Sequence, residues 1–314
     1  MVMTEIMGIM KKKYYYILVI TGIIVLSLRC YIDPKTSSEL TTQNINAMVE
    51  TLKLQAKVSG DGIPLLLVPG GLTGWKSWEP FVEIFSTKQR KVIRVQLINV
   101  EYGIENQPLP HNYSVKTESR ALAATLDSLG YYVPLDIVAW SYGALVTLDY
   151  ALDHPERIRT LTIIEPPAIW VLREKGALDV ETQQTLNFFE SLHGDITEDM
   201  LAAFLQEAGF VKPGESPRNL PQWTQWLPFR QALRNSPAIV AQRDKLKRLQ
   251  DFKQPVLLVK GTGSAPFLHH IIDGLSSNLP NSHIIELPGG HAPHIVSRDK
   301  FLLDLEKFQK ESSK

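Results

Sequence analysis

The sequence predicts an α/β fold: a mostly parallel central sheet with helices on both faces and an inserted helical cap. Three observations carry this. Short apolar runs alternate with helix-length segments between residues 51 and 165. The alternation stops between 166 and 250, where only helical patterns are found. It resumes at 255 and continues to the end of the chain.

TLKLQAKVSG at 51–60 alternates and reads as an edge strand, and Asp61-Gly62 turns the chain. IPLLLVP at 63–69 is nearly all apolar, as in a strand covered on both faces. Gly70 and Gly71 follow, then a helical segment around Trp78 to Phe85. KVIRVQLI at 91–98 reads as a strand, and 114–129 as a helix that Gly130 can end. PLDIVAW at 134–140, a helix at 142–152 and IRTLTII at 158–164 complete this half.

Residues 180–192 and 197–208 read as cap helices, followed by a Pro/Gly-rich break and the cluster Trp223, Trp226 and Phe229. PVLLVKG at 255–261, a helix at 266–277, HIIEL at 283–287 and a helix at 298–310 form the rest. The expected organisation is an N-terminal segment at 1–34, a core in two parts at 35–165 and 251–314, and a cap at 166–250.

Composition narrows the functional classes. Of 314 residues 44% are apolar, enough for a sizeable core. Lys and Arg number 33 against 33 Asp and Glu, and no basic stripe is present, which argues against nucleic acid as a partner. Cys30 is the one cysteine, so neither an intramolecular disulfide nor a cysteine metal cluster can form. Lys11, Lys12 and Lys13 precede an apolar run at 14–28, and Arg29 and Cys30 follow it. A basic flank before an apolar run is the pattern of a signal anchor or an export signal. It leads to the expectation of membrane attachment through this segment, with the folded domain on the extracytoplasmic side. The run is short for a span, and a buried N-terminal element is the alternative. Lipidation at Cys30 is a further option, although Arg29 is a poor neighbour for it.

The strongest local signal is A-W-S-Y-G at 139–143, between a strand pattern and a helix pattern. A sharp strand-to-helix turn can hold the Ser141 hydroxyl out over the sheet edge as a nucleophile. Ala139 stands where the usual motif has glycine. An ordinary helix N-cap is the competing reading of Ser141. Serine needs a base, and His291, in E-L-P-G-G-H-A-P-H just after the last strand pattern, is the candidate. His294 is its competitor. The N–H groups of Gly71 and Tyr142 are candidates for binding the oxyanion that forms on serine attack. Trp223, Trp226 and Phe229 are substrate-pocket candidates, though their spacing of three also suits a helix face packed on the core.

The segments LLLVPGG, AWSYGALVTLDYALDHPERIRTLTIIEPP, PVLLVKG and ELPGGHAPH resemble the α/β-hydrolase superfamily, in its cap-bearing branch, from about residue 50 to 310. The resemblance implies the α/β-hydrolase fold with about eight strands, attack by the elbow serine, a histidine base and a catalytic acid. The chain departs from the family at the acid. Where a G-x-x-D pattern is usual it reads Gly261-Thr262-Gly263-Ser264, and serine is no carboxylate. The resemblance points instead to Glu165, at the end of the IRTLTII strand, where some related hydrolases carry a glutamate. Bonding to backbone N–H groups at the cap junction is the other reading of Glu165, and Asp273 is a remoter candidate for the acid.

These features lead to the expectation of a serine hydrolase acting on carboxylic esters, or on lactones and thioesters, through an acyl-serine, with no metal or organic cofactor. Its partner would be a small molecule with an acyl carbonyl and an apolar portion. Two alternatives stand beside it: a catalytically weak binding protein that keeps the fold, and a membrane-associated acyltransferase.

Overall fold

A computed structural model of the protein describes residues 52–212 and 214–312. Seven strands form a single sheet: β1 (Gln55–Ser59), β2 (Ile63–Val68), β3 (Arg90–Gln96), β4 (Leu135–Trp140), β5 (Ile158–Ile164), β6 (Val256–Gly261) and β7 (Ser282–Leu287). Their spatial order is β1-β3-β2-β4-β5-β6-β7. Only β1 runs antiparallel, paired with β3, and every other pairing is parallel. The sheet is thus one strand short of the expected eight among the described residues.

The central strands are largely buried, β4 along its whole length, because helices cover both faces. Leu65 and Leu67 pack with Trp78, Phe81 and Phe301 on one side, while Leu66 and Val68 join the larger core on the other. The alternation along β2 follows the two-residue period of a strand. The flanking helices are α1 (Glu79–Thr87), α2 (Ile98–Ile104), α3 (Val115–Ser128), α4 (Ser141–Asp153), α11 (Pro266–Ser276), α12 (Pro293–Val296) and α13 (Arg298–Glu311). α3 begins on a reciprocal cap: Ser114 Oγ accepts from Thr117 N at 3.2 Å, and Thr117 Oγ1 accepts from Ser114 N at 3.1 Å.

The cap lies between β5 and β6. It contains α5 (Ile169–Glu174), α6 (Val180–Ser191), α7 (Glu198–Glu207), α8 (Trp223–Trp226), a 3-10 helix at Leu227–Asn235, α9 (Ser236–Ala241) and α10 (Leu246–Asp251). Asp179 caps α6 by accepting from Thr182 N at 2.7 Å, and Thr197 caps α7 by accepting from Met200 N at 3.2 Å.

Parallel strands bring their carboxyl ends to one edge, and the registers keep those ends nearly level. Val68 lies opposite Ala139, Trp140 opposite Ile164, and Ile164 opposite Val259. The loops after β2, β4, β5, β6 and β7 therefore meet at that edge, the usual place for a site in such a sheet.

The expectation of a membrane anchor is corrected. Among the described residues no helix is long and apolar enough to cross a membrane. The run at 14–28, with Cys30 and the segment 1–34, lies outside the described residues. Membrane partnership, anchoring and an extracytoplasmic location are accordingly withdrawn.

Candidate active site

Ser141 follows the last residue of β4 and opens α4 directly, with φ at +55°. A non-glycine residue in this left-handed region is strained and is held only by its surroundings. Here the buried ladder of β4 fixes one side and the nearly fully buried helix α4 fixes the other. Gly143 makes the turn possible. A methyl group there would lie 2.0 Å from the Pro69 carbonyl oxygen, so the β2 loop and α4 can approach only without a side chain. Ala139 is completely buried in the ladder, so the sheet accommodates its methyl group.

The loop after β7 carries His291 to the serine. His291 Nε2 lies 2.7 Å from Ser141 Oγ. Three contacts fix this loop. Trp140 Nε1 donates to the His291 carbonyl at 2.7 Å, His291 N donates to the Gly209 carbonyl at 2.9 Å, and the Phe210 ring stands edge-on to the imidazole at 4.9 Å. Two of the three come from the cap, so the cap orients the histidine as well as covering it.

Glu165 is fully buried at the end of β5 and, like Ser141, has a left-handed φ, +51°. Its two carboxylate oxygens divide between two partners. Oε1 accepts from Gly261 N at 2.7 Å, and Oε2 lies 3.4 Å from His291 Nδ1. The carboxylate thus bonds a backbone N–H at the cap junction and also approaches the imidazole. Ser264 lies in the loop where the family's usual acid would be, and its buried hydroxyl has no hydrogen-bond partner. Asp273 pairs with Lys260 at the surface instead, at 3.0 Å.

Gly71 and Tyr142 lie together on the floor of the same cavity, which Ser141 and His291 also line. A methyl group on Gly71 would meet Tyr142 Cβ at 3.0 Å. The Gly71 peptide is held from behind. Asn99, fully buried in α2, donates through Nδ2 to the Gly71 carbonyl at 2.7 Å and to the Ala232 carbonyl of the cap at 3.0 Å. Asn99 is itself fixed by Glu118, whose carboxylate accepts from Ile98 N, Asn99 N and the Tyr113 hydroxyl. Burial pushes Glu118 up to about 7, against the opposing effect of these three hydrogen bonds. Tyr113 also bonds the Tyr142 hydroxyl at 2.8 Å.

The cavity walls differ from those expected. Phe189, Phe204, Phe210, Phe267, Ile239 and Leu268 are among its apolar lining residues. Trp223, Trp226 and Phe229 do not line it. Trp226 packs behind Phe210 at 5.9 Å between ring centroids, and Phe229 is buried in the core. The four phenylalanines are scattered over some eighty residues of sequence, so no local pattern singles them out. The enclosed space is only about 30 Å3, room for about two water molecules.

His294 is separated from the site. It is fully buried among Trp78, Phe81, Trp140 and Phe301, and neither ring nitrogen has a hydrogen-bond partner. Burial, assisted by nearby His291, holds it down to about 3, far below the ordinary 6.5. A folded-state value below the unfolded one means that the unfolded chain takes up the proton first. The stability this neutral ring contributes is complete above about pH 6.5 and is lost as pH falls toward 3, at about 1.4 kcal/mol per pH unit. Urea titrations at pH 7 and pH 5 are expected to show His294→Phe unfolding at higher denaturant than the parent at pH 5. The gap should narrow at pH 7.

Comparison with known proteins agrees with this architecture. A profile for the alpha/beta hydrolase fold matches residues 63–297. The chain is 26% identical over 256 residues to a pimeloyl-[acyl-carrier protein] methyl ester esterase of Aeromonas hydrophila, covering 79% of this chain and 96% of that protein. It is 28% identical over 195 residues to a 2-hydroxymuconate semialdehyde hydrolase of a Pseudomonas species, covering 58% of this chain and 65% of that one. Among solved structures, a putative non-heme bromoperoxidase of Mycobacterium tuberculosis superposes with a TM-score of 0.66 at 18% identity, over 83% of this chain and 97% of the other. The chain, with its parallel sheet and helical cap, belongs to the α/β-hydrolase superfamily.

Proposed function

We propose that this hydrolase is a serine esterase that cleaves carboxylic esters through an acyl-serine at Ser141. The observation that carries the reading is the 2.7 Å contact between Ser141 Oγ and His291 Nε2 at the floor of an apolar cavity. His291 takes the serine proton as Oγ attacks the ester carbonyl, and the negative oxygen rests on the N–H groups of Gly71 and Tyr142. As the carbonyl re-forms, the bond to the leaving alcohol breaks and His291 returns the proton to that oxygen. Water then repeats the sequence on the acyl-serine and releases the acid. Glu165 holds the imidazole tautomer through Nδ1 and stabilises its positive charge. Residues 166–250 serve as the substrate cap over the core that the described residues on either side of them form. The methyl ester esterase activity for which the Aeromonas relative is named is compatible with this chemistry.

Mixing the protein with excess p-nitrophenyl butanoate tests the reading. A burst of nitrophenol should approach one equivalent, and rapid acid quench should leave a butanoyl adduct on the Ser141 peptide. Undiminished turnover by Ser141→Ala would refute it.

Asn99 is a positioning residue in this scheme, because it orients the Gly71 peptide without touching substrate. Asn99→Leu is expected to lower kcat about 10- to 100-fold with little change in KM. Steady-state kinetics would detect it. A general loss of folded protein would instead reduce the titratable burst while leaving kcat per active site unchanged.

A further inference from the structure

Both residues assigned to the oxyanion trace back to one buried carboxylate. Glu118 lies in the first turn of α3 and is fully buried. It caps α2, whose own N-cap, Leu97, offers no side-chain bond: Oε2 accepts from Ile98 N and Oε1 from Asn99 N, each at 3.0 Å. Asn99 Nδ2 in turn holds the Gly71 carbonyl at 2.7 Å. Oε1 also accepts from the Tyr113 hydroxyl at 2.6 Å, and Tyr113 meets the Tyr142 hydroxyl at 2.8 Å. The tip of the Tyr142 ring is fixed by this contact and by a side-chain bond from Asn235. Its base packs on Gly71, where a methyl group would stand 3.0 Å from Cβ and 3.1 Å from Cδ1. One arm of the network therefore sets the Gly71 peptide, and the other sets the residue that carries the second N–H.

The charge on Glu118 decides which way these bonds run. Ile98 N, Asn99 N and the Tyr113 hydroxyl all donate to it, an arrangement that only an ionised carboxylate satisfies. Tyr113 has one proton and gives it to Glu118, so Tyr142 donates to Tyr113. A proton on Glu118 reverses the order. The backbone N–H groups cannot turn acceptor, so the carboxyl donates to Tyr113 and Tyr113 to Tyr142, and the Tyr142 proton is driven toward the Asn235 amide. Burial raises Glu118 to about 7 against the pull of its three hydrogen bonds, and Glu101 of α2 adds a smaller like-charge push. The other charged groups on the packed elements are engaged elsewhere. Lys116 of α3 pairs with Asp149 and Asp153 of α4, and Arg120 is exposed. Arg230 and Arg234 of the cap's 3-10 helix bond the carbonyls of Ile196 and Gly194.

Resting on the esterase reading, we propose that Glu118 is a positioning residue of the oxyanion site: its ionised carboxylate holds both donors, Gly71 through Asn99 and Tyr142 through Tyr113, and its protonation releases them. Glu118 touches no substrate. It acts on the step in which negative charge develops on the carbonyl oxygen, so its effect falls on kcat and not on KM.

The test is kcat for p-nitrophenyl butanoate, per active site titrated by the burst, between about pH 5.5 and about pH 8.5. Glu118→Gln keeps the shape and removes the charge. Because Ile98 N and Asn99 N bond different oxygens, the glutamine N–H2 must face one of them. At about pH 8.5 its kcat is expected to be about 10-fold below the parent, with KM unchanged. Protonation of His291 acts alike on both proteins and cancels in the ratio of their kcat values. The ratio should therefore shrink from about 10 toward about 1 as pH falls through about 7, where the parent's own carboxylate becomes neutral. Tyr113→Phe keeps both backbone bonds to Glu118 and cuts only the Tyr142 arm, and its kcat should fall about 3- to 10-fold. A ratio near 1 at every pH, a larger ratio that does not change with pH, or undiminished kcat in Tyr113→Phe overturns the proposal. So does a Glu118→Gln protein with a reduced burst but parental kcat per site, because that is a loss of folded protein alone. A parent that gives neither burst nor turnover removes the esterase reading and this proposal with it, so the two failures are kept apart.

Discussion

Ser141→Ala is expected to lower kcat for ester hydrolysis by about four to six orders of magnitude, leaving only what the oxyanion donors and the cavity contribute. The fold should survive, because the lost hydroxyl contacts only His291 Nε2. Ser141→Gly separates the two demands made on this position. The residue sits at φ +55°, where glycine is unstrained and an L side chain costs about 1–2 kcal/mol. Glycine should therefore be equally inactive, yet unfold at higher denaturant than the alanine variant. Equal midpoints in urea would mean that the strain relieved is no larger than the unfolded-state entropy that glycine adds.

Glu165→Gln is the second large effect. The glutamine carbonyl can still accept from Gly261 N, so the β5–β6 junction keeps its bond. Its amide N–H2 then faces His291 Nδ1, which must turn acceptor. The ring proton moves to Nε2 and points at Ser141 Oγ, leaving no base. A fall in kcat of about 10,000-fold is expected, with near-parental stability. Steady-state kinetics and a urea titration of the same sample check both halves. If Glu165 served only as a junction residue, Glu165→Gln would retain most of its activity.

Much of this was legible in the sequence, for reasons that individual elements make plain. The strand read at 158–164 coincides with β5, because an apolar, β-branched run ends at Glu165-Pro166. The turn at Ser141 was legible because a strand, a small residue and a helix must stand in that order for the backbone to turn so sharply. α2 was not. LINVEYGI continues the apolar character of β3, and its helix starts where Glu118, some twenty residues away, receives the Ile98 and Asn99 N–H groups. A cap supplied from that distance leaves no local signal. The cavity wall was hidden for the same reason. Trp223 and Trp226 form a visible local cluster yet pack outside the cavity, whereas Phe189, Phe204, Phe210 and Phe267 meet only after folding. Asn99 likewise matters through neighbours remote in sequence.

The most direct test is covalent labelling with a fluorophosphonate, mapped by peptide mass spectrometry on the full chain. One equivalent on Ser141, absent from Ser141→Ala and strongly slowed in Glu165→Gln, is the result expected of a serine activated by His291 and Glu165. A folded protein that takes no label at Ser141, or takes it equally fast after Glu165→Gln, would contradict the proposed triad.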